Sequence, residues 1–211
     1  MKCALLLSGC GFQDGTEIQE AVFCLASLER NGIETFPVSL DKSQSKVVGH
    51  NTCSELTEKR NLLEESARIC RGGVQALSHF DPSKVDFLII PGGFGVALNL
   101  SDFALKGADF SVNFEVQKLI EHCFDESKPI GAVCIAPCLI AKVLGAHKPI
   151  LTVGDSTDVE KTLEDLGAQM KKCRPGDYVL DAVNKIVSTP AYMYEKTSIQ
   201  EVSSGIDKMI N

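Results

Sequence analysis

The sequence predicts a doubly wound α/β protein, in which helices cover both faces of a mostly parallel sheet. Short, continuous apolar runs end at glycine-rich turns, and stretches with helical periodicity lie between these runs. A length of 211 residues is short for two ordinary domains, so we expect one domain that carries an insertion. With 44% hydrophobic residues and no low-complexity tract, the composition excludes a disordered chain.

The first half of the chain alternates strands and helices in the order that this fold requires. Residues 3–8 are an apolar run that ends at a glycine turn, which predicts a buried strand. Apolar residues recur at helical spacing over 17–31, and 34–39 predicts a second strand. Residues 47–73 begin without a clear period and continue as a charged helix over 58–71. We therefore interpret 47–73 as a helical insertion within a single domain that spans 1–211.

The second half of the chain continues the alternation and ends in a hairpin. Residues 85–90 (VDFLII) are the strongest buried strand, and Pro91-Gly92-Gly93 breaks it. The same patterns predict strands at 74–77, 129–133 and 150–153, helices at 112–126, 135–144, 159–166 and 194–210, and a hairpin over 178–188.

Charge and cysteine content exclude several classes of partner. Twenty-eight acidic residues against 21 basic ones give a net charge of -7, so we expect neither nucleic acid nor a membrane as a partner. No apolar run approaches the roughly 18 residues of a membrane span. The nine cysteines form no close pairs of the kind that zinc sites use, so no metal site is expected. Free thiols favour a reducing compartment, and we expect the cytoplasm.

Ligands of open α/β sheets bind beyond the carboxyl ends of the strands. Three strand ends therefore matter: residues 9–15, residues 91–95 and the segment around Cys134. Residues 9–15 resemble a dinucleotide-binding loop, but the third glycine comes one position late and no acidic residue closes the second strand. Because this match is incomplete, we expect no cofactor, and nucleotide binding stays a secondary hypothesis.

The segment around Cys134 is typical of a nucleophile at a sharp strand–helix turn. Small residues, Ala132 and Ala136, stand two positions before and after Cys134, where larger side chains would clash in such a turn. The turn places the thiol near a helix N-terminus, which favours the thiolate. The alternative is an inert cysteine at a buried strand end, which is a common location for free cysteines.

The two other strand ends could complete a catalytic site. The backbone N–H groups of Gly93 and Ile135 could form an oxyanion hole beside the thiol. The alternative interpretation of residues 91–95 is a plain glycine turn. Glu17 and Glu20 open the first helix, where solvated acids are common because the helix dipole stabilises them. One of them becomes a candidate catalytic acid only because the start of this helix lies beside the other two strand ends.

Taken together, these residues resemble the class I glutamine amidotransferase-like superfamily, in its PfpI-like branch. Within that branch the chain is similar to the ElbB-type family, also called sigma cross-reacting protein or isoprenoid biosynthesis protein with an amidotransferase-like domain. The resemblance covers essentially the whole chain. It is carried by LLSGCG at 6–11, DGTEIQEA at 14–21, RNLL at 60–63, SARI at 66–69, PGGFG at 91–95, CIAP at 134–137, TPAYM at 189–193 and SGIDK at 204–208.

The resemblance implies a flavodoxin-like three-layer sandwich, a homodimer, and a carboxylate from the first helix in contact with the nucleophile. The position of that carboxylate falls on Glu20 rather than Glu17. ElbB-type proteins are described as glyoxalases that convert glyoxal to glycolate without a cofactor. The resemblance thus implies a small aldehyde substrate that Cys134 attacks to form a hemithioacetal, with Glu20 moving the proton.

The chain also departs from the pattern of its relatives. Many members of the branch have histidine after the nucleophile, where this chain has Ile135, and no histidine follows His147, so we do not expect glutamine hydrolysis. His50, in the insertion, is a candidate replacement, and Gly92 and Tyr192 are candidate pocket residues. The alternative function is a non-catalytic regulatory or interaction protein, nominally linked to isoprenoid biosynthesis, that keeps a redox-sensitive cysteine.

Overall fold

A computed structural model describes residues 1–194 and 196–211. Its strands are β1 Lys2–Leu7, β2 Glu34–Ser39, β3 Val47–Gly49, β4 Ser54–Leu56, β5 Gln75–Ala76, β6 Phe87–Ile90, β7 Ile130–Val133, β8 Ile150–Leu151, β9 Gln169–Met170, β10 Val179–Asp181 and β11 Ile186–Thr189. Its α-helices are α1 Ile18–Arg30, α2 Leu62–Cys70, α3 Phe103–Lys106, α4 Phe114–Asp125, α5 Pro137–Leu144, α6 Thr157–Asp165 and α7 Ile199–Ile210.

Seven strands form the central sheet in the order β10-β11-β7-β6-β1-β2-β5. All neighbouring strands of this sheet run parallel except β10, which is antiparallel to β11. The register places Leu5 of β1 between Pro37 of β2 and Ile89 of β6. The predicted doubly wound fold, with its mostly parallel sheet and its C-terminal hairpin, is confirmed.

Both faces of the sheet are covered, which explains the continuous apolar runs in the sequence. On β1, Leu5 and Leu7 pack with α1 and α7, whereas Ala4 and Leu6 belong to the core on the opposite face, with α4 and α5. Successive side chains of a strand point to opposite faces, so a strand between two helix layers needs apolar residues at every position.

Local capping residues explain where helices begin differently from the sequence prediction. Helix α2 was expected from residue 58, but Asn61 is its N-cap and accepts hydrogen bonds from the backbone N–H groups of Leu63 and Glu64. Helix α7 was expected from residue 194, but Ser198 and Glu201 form a capping box at its start. Residue 195 lies outside the described residues.

Some short elements were not predicted. Residues 47–57, which show no period, contain the hairpin β3–β4. The strand predicted at 150–153 is the two-residue β8, which pairs with β9 outside the main sheet. A turn of π-helix, Val96–Leu100, follows the Pro91-Gly92-Gly93 turn. Elements of two to five residues are too short to establish a hydrophobic period, so neighbouring segments define them.

In the described part of the chain, no helix is both long enough and apolar enough to cross a membrane.

Candidate active site

The carboxyl ends of β1, β6 and β7 lie side by side in the sheet, and backbone hydrogen bonds join the segments that follow β1 and β6. The N–H of Gly95 donates to the carbonyl oxygen of Gly15 (2.8 Å), and the N–H of Glu17 donates to that of Gly92 (3.0 Å). Gly93 adopts φ +97°, and a Cβ atom there would lie 2.4 Å from the Glu17 nitrogen and from the Gly15 oxygen. Only glycine fits at this approach.

Cys134 occupies the strained turn between β7 and α5. Its φ is +61°, in the left-handed region that a residue with a side chain rarely adopts. Such strain costs on the order of 1–3 kcal/mol and persists where surrounding contacts impose it. The N–H of Cys134 donates to the carbonyl oxygen of Thr189 (2.9 Å), and Pro137 then starts α5. The turn presents the thiol to a cavity, although only 7% of the residue is exposed.

Glu20, in the first turn of α1, is completely buried against this turn. Its Oε2 accepts a hydrogen bond from the N–H of Gly92 (2.8 Å), whereas its Oε1 has no partner at normal hydrogen-bonding distance among the described residues. Burial, with the nearby charge of Glu17, raises the pKa of Glu20 to about 8. The N–H of Gly92, the Cys134 thiol and the N–H of Tyr192 act in the opposite direction. The carboxyl group is therefore mostly protonated at pH 7.

Gly92 keeps Glu20 and Cys134 in contact. A Cβ atom at Gly92 would lie 2.5 Å from the Cβ of Cys134 and 2.7 Å from Oε2 of Glu20. Real Cβ atoms do not approach other atoms so closely, and both neighbours are themselves buried. The turn therefore needs glycine at position 92, because the carboxyl group of Glu20 and the side chain of Cys134 occupy the space that a Cβ atom would take.

Burial raises the pKa of the Cys134 thiol well above its usual range, and the charge of Glu20 adds to this effect. Hydrogen bonds from the backbone N–H groups of Gly93 and Ile135 lower it. In the resting site, burial thus raises the pKa of the thiol despite these two amides, which opposes the thiolate that the helix N-terminus was expected to favour. The amides considered for an oxyanion hole both face the sulfur.

A cavity of about 670 Å³ opens beside Cys134. Glu17 lines it, while its Oε2 caps α1 by accepting the N–H of Glu20 (2.7 Å), and burial raises the pKa of Glu17. Tyr192 also lines it, and its hydroxyl donates to the side chain of Gln19. The candidate pocket residues Glu17 and Tyr192 thus belong to the cavity wall, and Gly92 lies behind Cys134 and Glu20.

His50 is not part of the cavity wall. Its Nε2 accepts the N–H of Gln13 (3.3 Å), its Nδ1 lies 3.0 Å from the carbonyl oxygen of Val48, and its ring packs edge-on against Phe12, with the ring centroids 5.4 Å apart. Both ring nitrogens are engaged with the backbone, so His50 supports the loop and does not contact the thiol. Phe12, in turn, lines the cavity.

Several wall residues escaped the sequence analysis. They are mostly aromatic or apolar, and they come from loops and short helices beyond the strand ends: Phe12, Phe94, Ala97, Phe103, Val159 and Met193. The available signal was the phenylalanine inside each of two glycine-rich turns, GCGFQDG and PGGFG. No group of three or more His, Cys, Asp or Glu side chains in the described ranges could hold a metal ion.

Comparisons with known proteins identify relatives along the entire chain, although no family model matches it. The chain is 41% identical to the mitochondrial ES1 protein homolog of Rattus norvegicus, in an alignment that covers 99% of this chain and 81% of the relative. It is 39% identical to the mitochondrial glutamine amidotransferase-like class 1 domain-containing protein 3 of Homo sapiens, with the same coverage.

Solved structures agree with these sequence relatives. The isoprenoid biosynthesis protein with amidotransferase-like domain from Ehrlichia chaffeensis superposes with a TM-score of 0.92 at 34% identity, covering 100% of this chain and 97% of that one. Drosophila melanogaster DJ-1beta, at 19% identity and a TM-score of 0.58, shares the fold over 96% of this chain and 95% of its own. The chain therefore belongs to the family of the ES1 proteins and the glutamine amidotransferase-like class 1 domain-containing protein, within the class I glutamine amidotransferase-like superfamily.

Proposed function

We propose that the protein is a cofactor-independent, glyoxalase-like enzyme of the ElbB-type, PfpI-like branch, which converts glyoxal to glycolate through Cys134. The observation that carries this proposal is the proximity of the buried thiol of Cys134, on its strained turn, to the buried carboxyl group of Glu20, which meet around Gly92 beside a cavity. Strained backbone and buried acids with an unpartnered oxygen are costly, and they cluster at functional sites.

The proposed reaction starts from the form of the site in which Glu20 has lost its proton, the minor form at pH 7. The sulfur of Cys134 bonds to one aldehyde carbon while the thiol proton passes to the Glu20 carboxylate. The backbone N–H groups of Gly93 and Ile135, which face the sulfur, would stabilise the oxyanion on that carbon. The proton on that carbon then moves to the neighbouring carbonyl carbon, and Glu20 gives its proton to the oxygen of that second carbon, which leaves a thioester beside a primary alcohol. Water hydrolyses the thioester and releases glycolate. One carbon is oxidised and the other reduced, so no external oxidant or cofactor is consumed.

Glu20 is suited to carry the protons of these steps. A general acid–base is most effective when its pKa lies near the working pH, and burial raises the pKa of Glu20 to about 8. Its Oε1 has no partner at normal hydrogen-bonding distance in the described structure, and Glu20 is completely buried beside the Cys134 sulfur, so it would exchange protons with a substrate bonded to that sulfur. The nearby Glu17 already uses a carboxylate oxygen to cap α1.

The decisive experiment is to measure glycolate production from glyoxal by wild type, Cys134→Ser and Glu20→Gln. We expect both variants to lose nearly all turnover. Glu17→Gln is the matched acid control. Its turnover should be at least about tenfold higher than that of Glu20→Gln, because Glu17 does not carry a proton in the proposed reaction. Equal turnover by wild type and Cys134→Ser would overturn the proposal and favour the regulatory or interaction protein that keeps the same fold.

We further propose a homodimer in the cytoplasm. Ile18, Val22 and Ile199 on α1 and α7 are 43%, 44% and 55% exposed, and such apolar side chains favour association. All nine cysteines are free, as expected in a reducing compartment, although two relatives are named as mitochondrial. Light scattering after gel filtration tests the dimer, and cell fractionation tests the location.

A further inference from the structure

The cavity beside Cys134 is much larger than glyoxal. We propose that the preferred substrate of this site is a 2-oxoaldehyde that carries an uncharged aromatic or similarly bulky apolar substituent. This inference rests on the proposed glyoxalase function and names its substrate class. Three features of the site support it: the size of the cavity, the chemistry of its wall and the charges around it.

The size of the cavity indicates a substrate with a substantial side chain. At about 670 Å³ it lies within the roughly 300–1,000 Å³ that is typical of sites for drug-sized ligands. A water molecule takes roughly 30 Å³, so the cavity has room for about 20 waters. Glyoxal, a two-carbon dialdehyde, would replace only a few of them and leave most of the apolar wall in contact with water.

The wall is suited to an aromatic ring. Phe103 from α3 and Val159 from α6 meet in it, although they are far apart in the sequence. At the mouth, Phe12 and Phe94 are 48% and 55% exposed, and the N–H of Phe94 donates to the carbonyl oxygen of Phe12 (2.7 Å). When an apolar ligand covers these exposed aromatic rings, their apolar surface leaves water, which favours binding.

The charges around the cavity exclude anionic substituents. Among the described residues that line it, none is Lys, Arg or His, and the one ionisable acid in the outer wall is Glu17. A phosphate or carboxylate on the substrate would lose its hydration without gaining a cationic partner, and it would face the Glu17 carboxyl group. The substituent is therefore neutral.

The chemistry of such a substrate is that already described for glyoxal. Cys134 bonds to the aldehyde carbon, the proton on that carbon moves to the ketone carbon, and water releases a 2-hydroxy acid. With phenylglyoxal the product is mandelate, and the phenyl ring remains in the cavity throughout.

The first test compares kcat/KM for phenylglyoxal, methylglyoxal and glyoxal with the wild-type protein. A filled apolar pocket discriminates by at least about tenfold, so we expect phenylglyoxal to exceed methylglyoxal by that factor or more. Phenylglyoxal with a carboxylate on the ring should be at least about tenfold poorer than phenylglyoxal. Equal values for phenylglyoxal and methylglyoxal would overturn the substrate class, and equal values for the two ring compounds would overturn the argument from charge.

A pair of substitutions on α3 tests whether the cavity causes the preference. Ala104 lies on the exposed surface of α3 and lines the cavity, so Ala104→Phe should lower the phenylglyoxal-to-glyoxal ratio of kcat/KM severalfold. Leu105, the next residue, is 69% exposed and does not line the cavity. Leu105→Phe should leave the ratio unchanged. The same ratio in both variants would show that another site recognises the ring.

Binding separates failure of this inference from failure of the proposed function. Acetophenone, a neutral ketone without an aldehyde, should bind to Cys134→Ser in ligand-observed NMR, and Ala104→Phe in the same background should weaken this binding whereas Leu105→Phe should not. If no aldehyde is turned over but acetophenone binds in this way, the glyoxalase proposal fails and the ligand class of the cavity stands. If glyoxal is turned over but acetophenone does not bind, the ligand class is wrong.

Discussion

Cys10 and Cys134 both follow a parallel strand at the same edge of the sheet, yet their surroundings differ. Between β1 and α1 the chain takes ten residues, 8–17, and Gly9 and Gly11 supply the positive φ angles. Between β7 and α5 it takes three residues, 134–136, and Cys134 itself has the positive φ. A long turn can hold its cysteine to one side, whereas a short turn makes the cysteine the apex.

The electrostatic surroundings differ in the same sense. Burial raises the pKa of the Cys10 thiol, but Cys10 is only half-buried, and Glu65 and Arg68, which form an ion pair, act on it with opposite signs. Around Cys134, two backbone N–H groups and a fully buried acid converge on the sulfur. A cysteine after a strand is therefore not sufficient for such a site, because Gly93 and Glu20 come from the segments that follow other strands.

The largest expected effect comes from replacing each of the two cysteines by serine, one at a time. Cys134→Ser should lower kcat/KM for glyoxal by at least roughly 10³-fold, because it removes the nucleophile. Cys10→Ser should keep nearly all activity. The measurement is the initial rate of glycolate formation, with variants whose unfolding curves match that of the wild type. A comparable loss in both variants would mean that the two turns are not functionally distinct.

The next largest effect comes from adding one methyl group to each turn. Gly92→Ala should lower kcat/KM by about 10²-fold, because the new Cβ must push Glu20 and Cys134 apart. Gly11→Ala also creates a clash, 2.5 Å from Nε2 of His50, and adopts φ +116°. It should mainly reduce stability, by about 1–2 kcal/mol. Rates and urea unfolding of both variants check this, and a larger activity loss in Gly11→Ala would contradict it.

A smaller effect is expected from pH. The Glu20–Cys134 pair must lose one proton before the sulfur can attack, and burial raises the pKa of Glu20 to about 8. Below that pH the pair is protonated and inactive, so kcat/KM should fall about tenfold per pH unit below 8 and level off above it. The pH profile should be the same in Cys10→Ser. A profile that is flat between pH 6 and 8 would exclude Glu20 as the base.

The smallest effect on activity is expected beneath the Cys10 turn. Ser66 is buried, and its hydroxyl accepts the N–H of Gly9 (3.0 Å) and donates to the hydroxyl of Ser39 (3.0 Å). Ser66→Ala should cost about 1–3 kcal/mol of unfolding free energy and leave the rate nearly unchanged. Ser78→Ala, at an exposed serine, is the control and should change stability by less than about 0.5 kcal/mol. Chemical denaturation measures both, and a rate loss in Ser66→Ala like that of Gly92→Ala would contradict the comparison.

The sequence predicted most of the long elements because each one carries its own signal. Helix α1 keeps Ala21, Cys24 and Leu28 on one buried face, and β6 is a continuous apolar run. The hairpin β3–β4 could not be predicted, because all of β4 is exposed and carries no hydrophobic alternation. The π-helix at Val96–Leu100 was missed because it is only five residues long and all of them are buried, so it has no polar face to reveal a period.

The candidate site was only partly predictable. Cys134, Gly93 and Ile135 stand out in the sequence because a short turn with small flanking residues has few uses other than an elbow. Glu20 was singled out by resemblance, since Glu17 and Glu20 look equivalent as first-turn acids. In the structure Glu17 caps the helix and Glu20 is turned into the core. His50 was a candidate because of its place in the insertion, but it does not line the cavity, because the hairpin that carries it packs on the Phe12 loop.

The sequence by itself determined the fold class, the edge of the sheet where the site lies and the cysteine at its centre. These features depend on residues close together in the chain, through periodicity, turn chemistry and strand direction. The tertiary structure alone decided that burial raises the pKa of the thiol, which acid lies beside it and how large the cavity is. These properties depend on burial and on close contacts among segments far apart in the sequence, and desolvation acts only once those segments have packed.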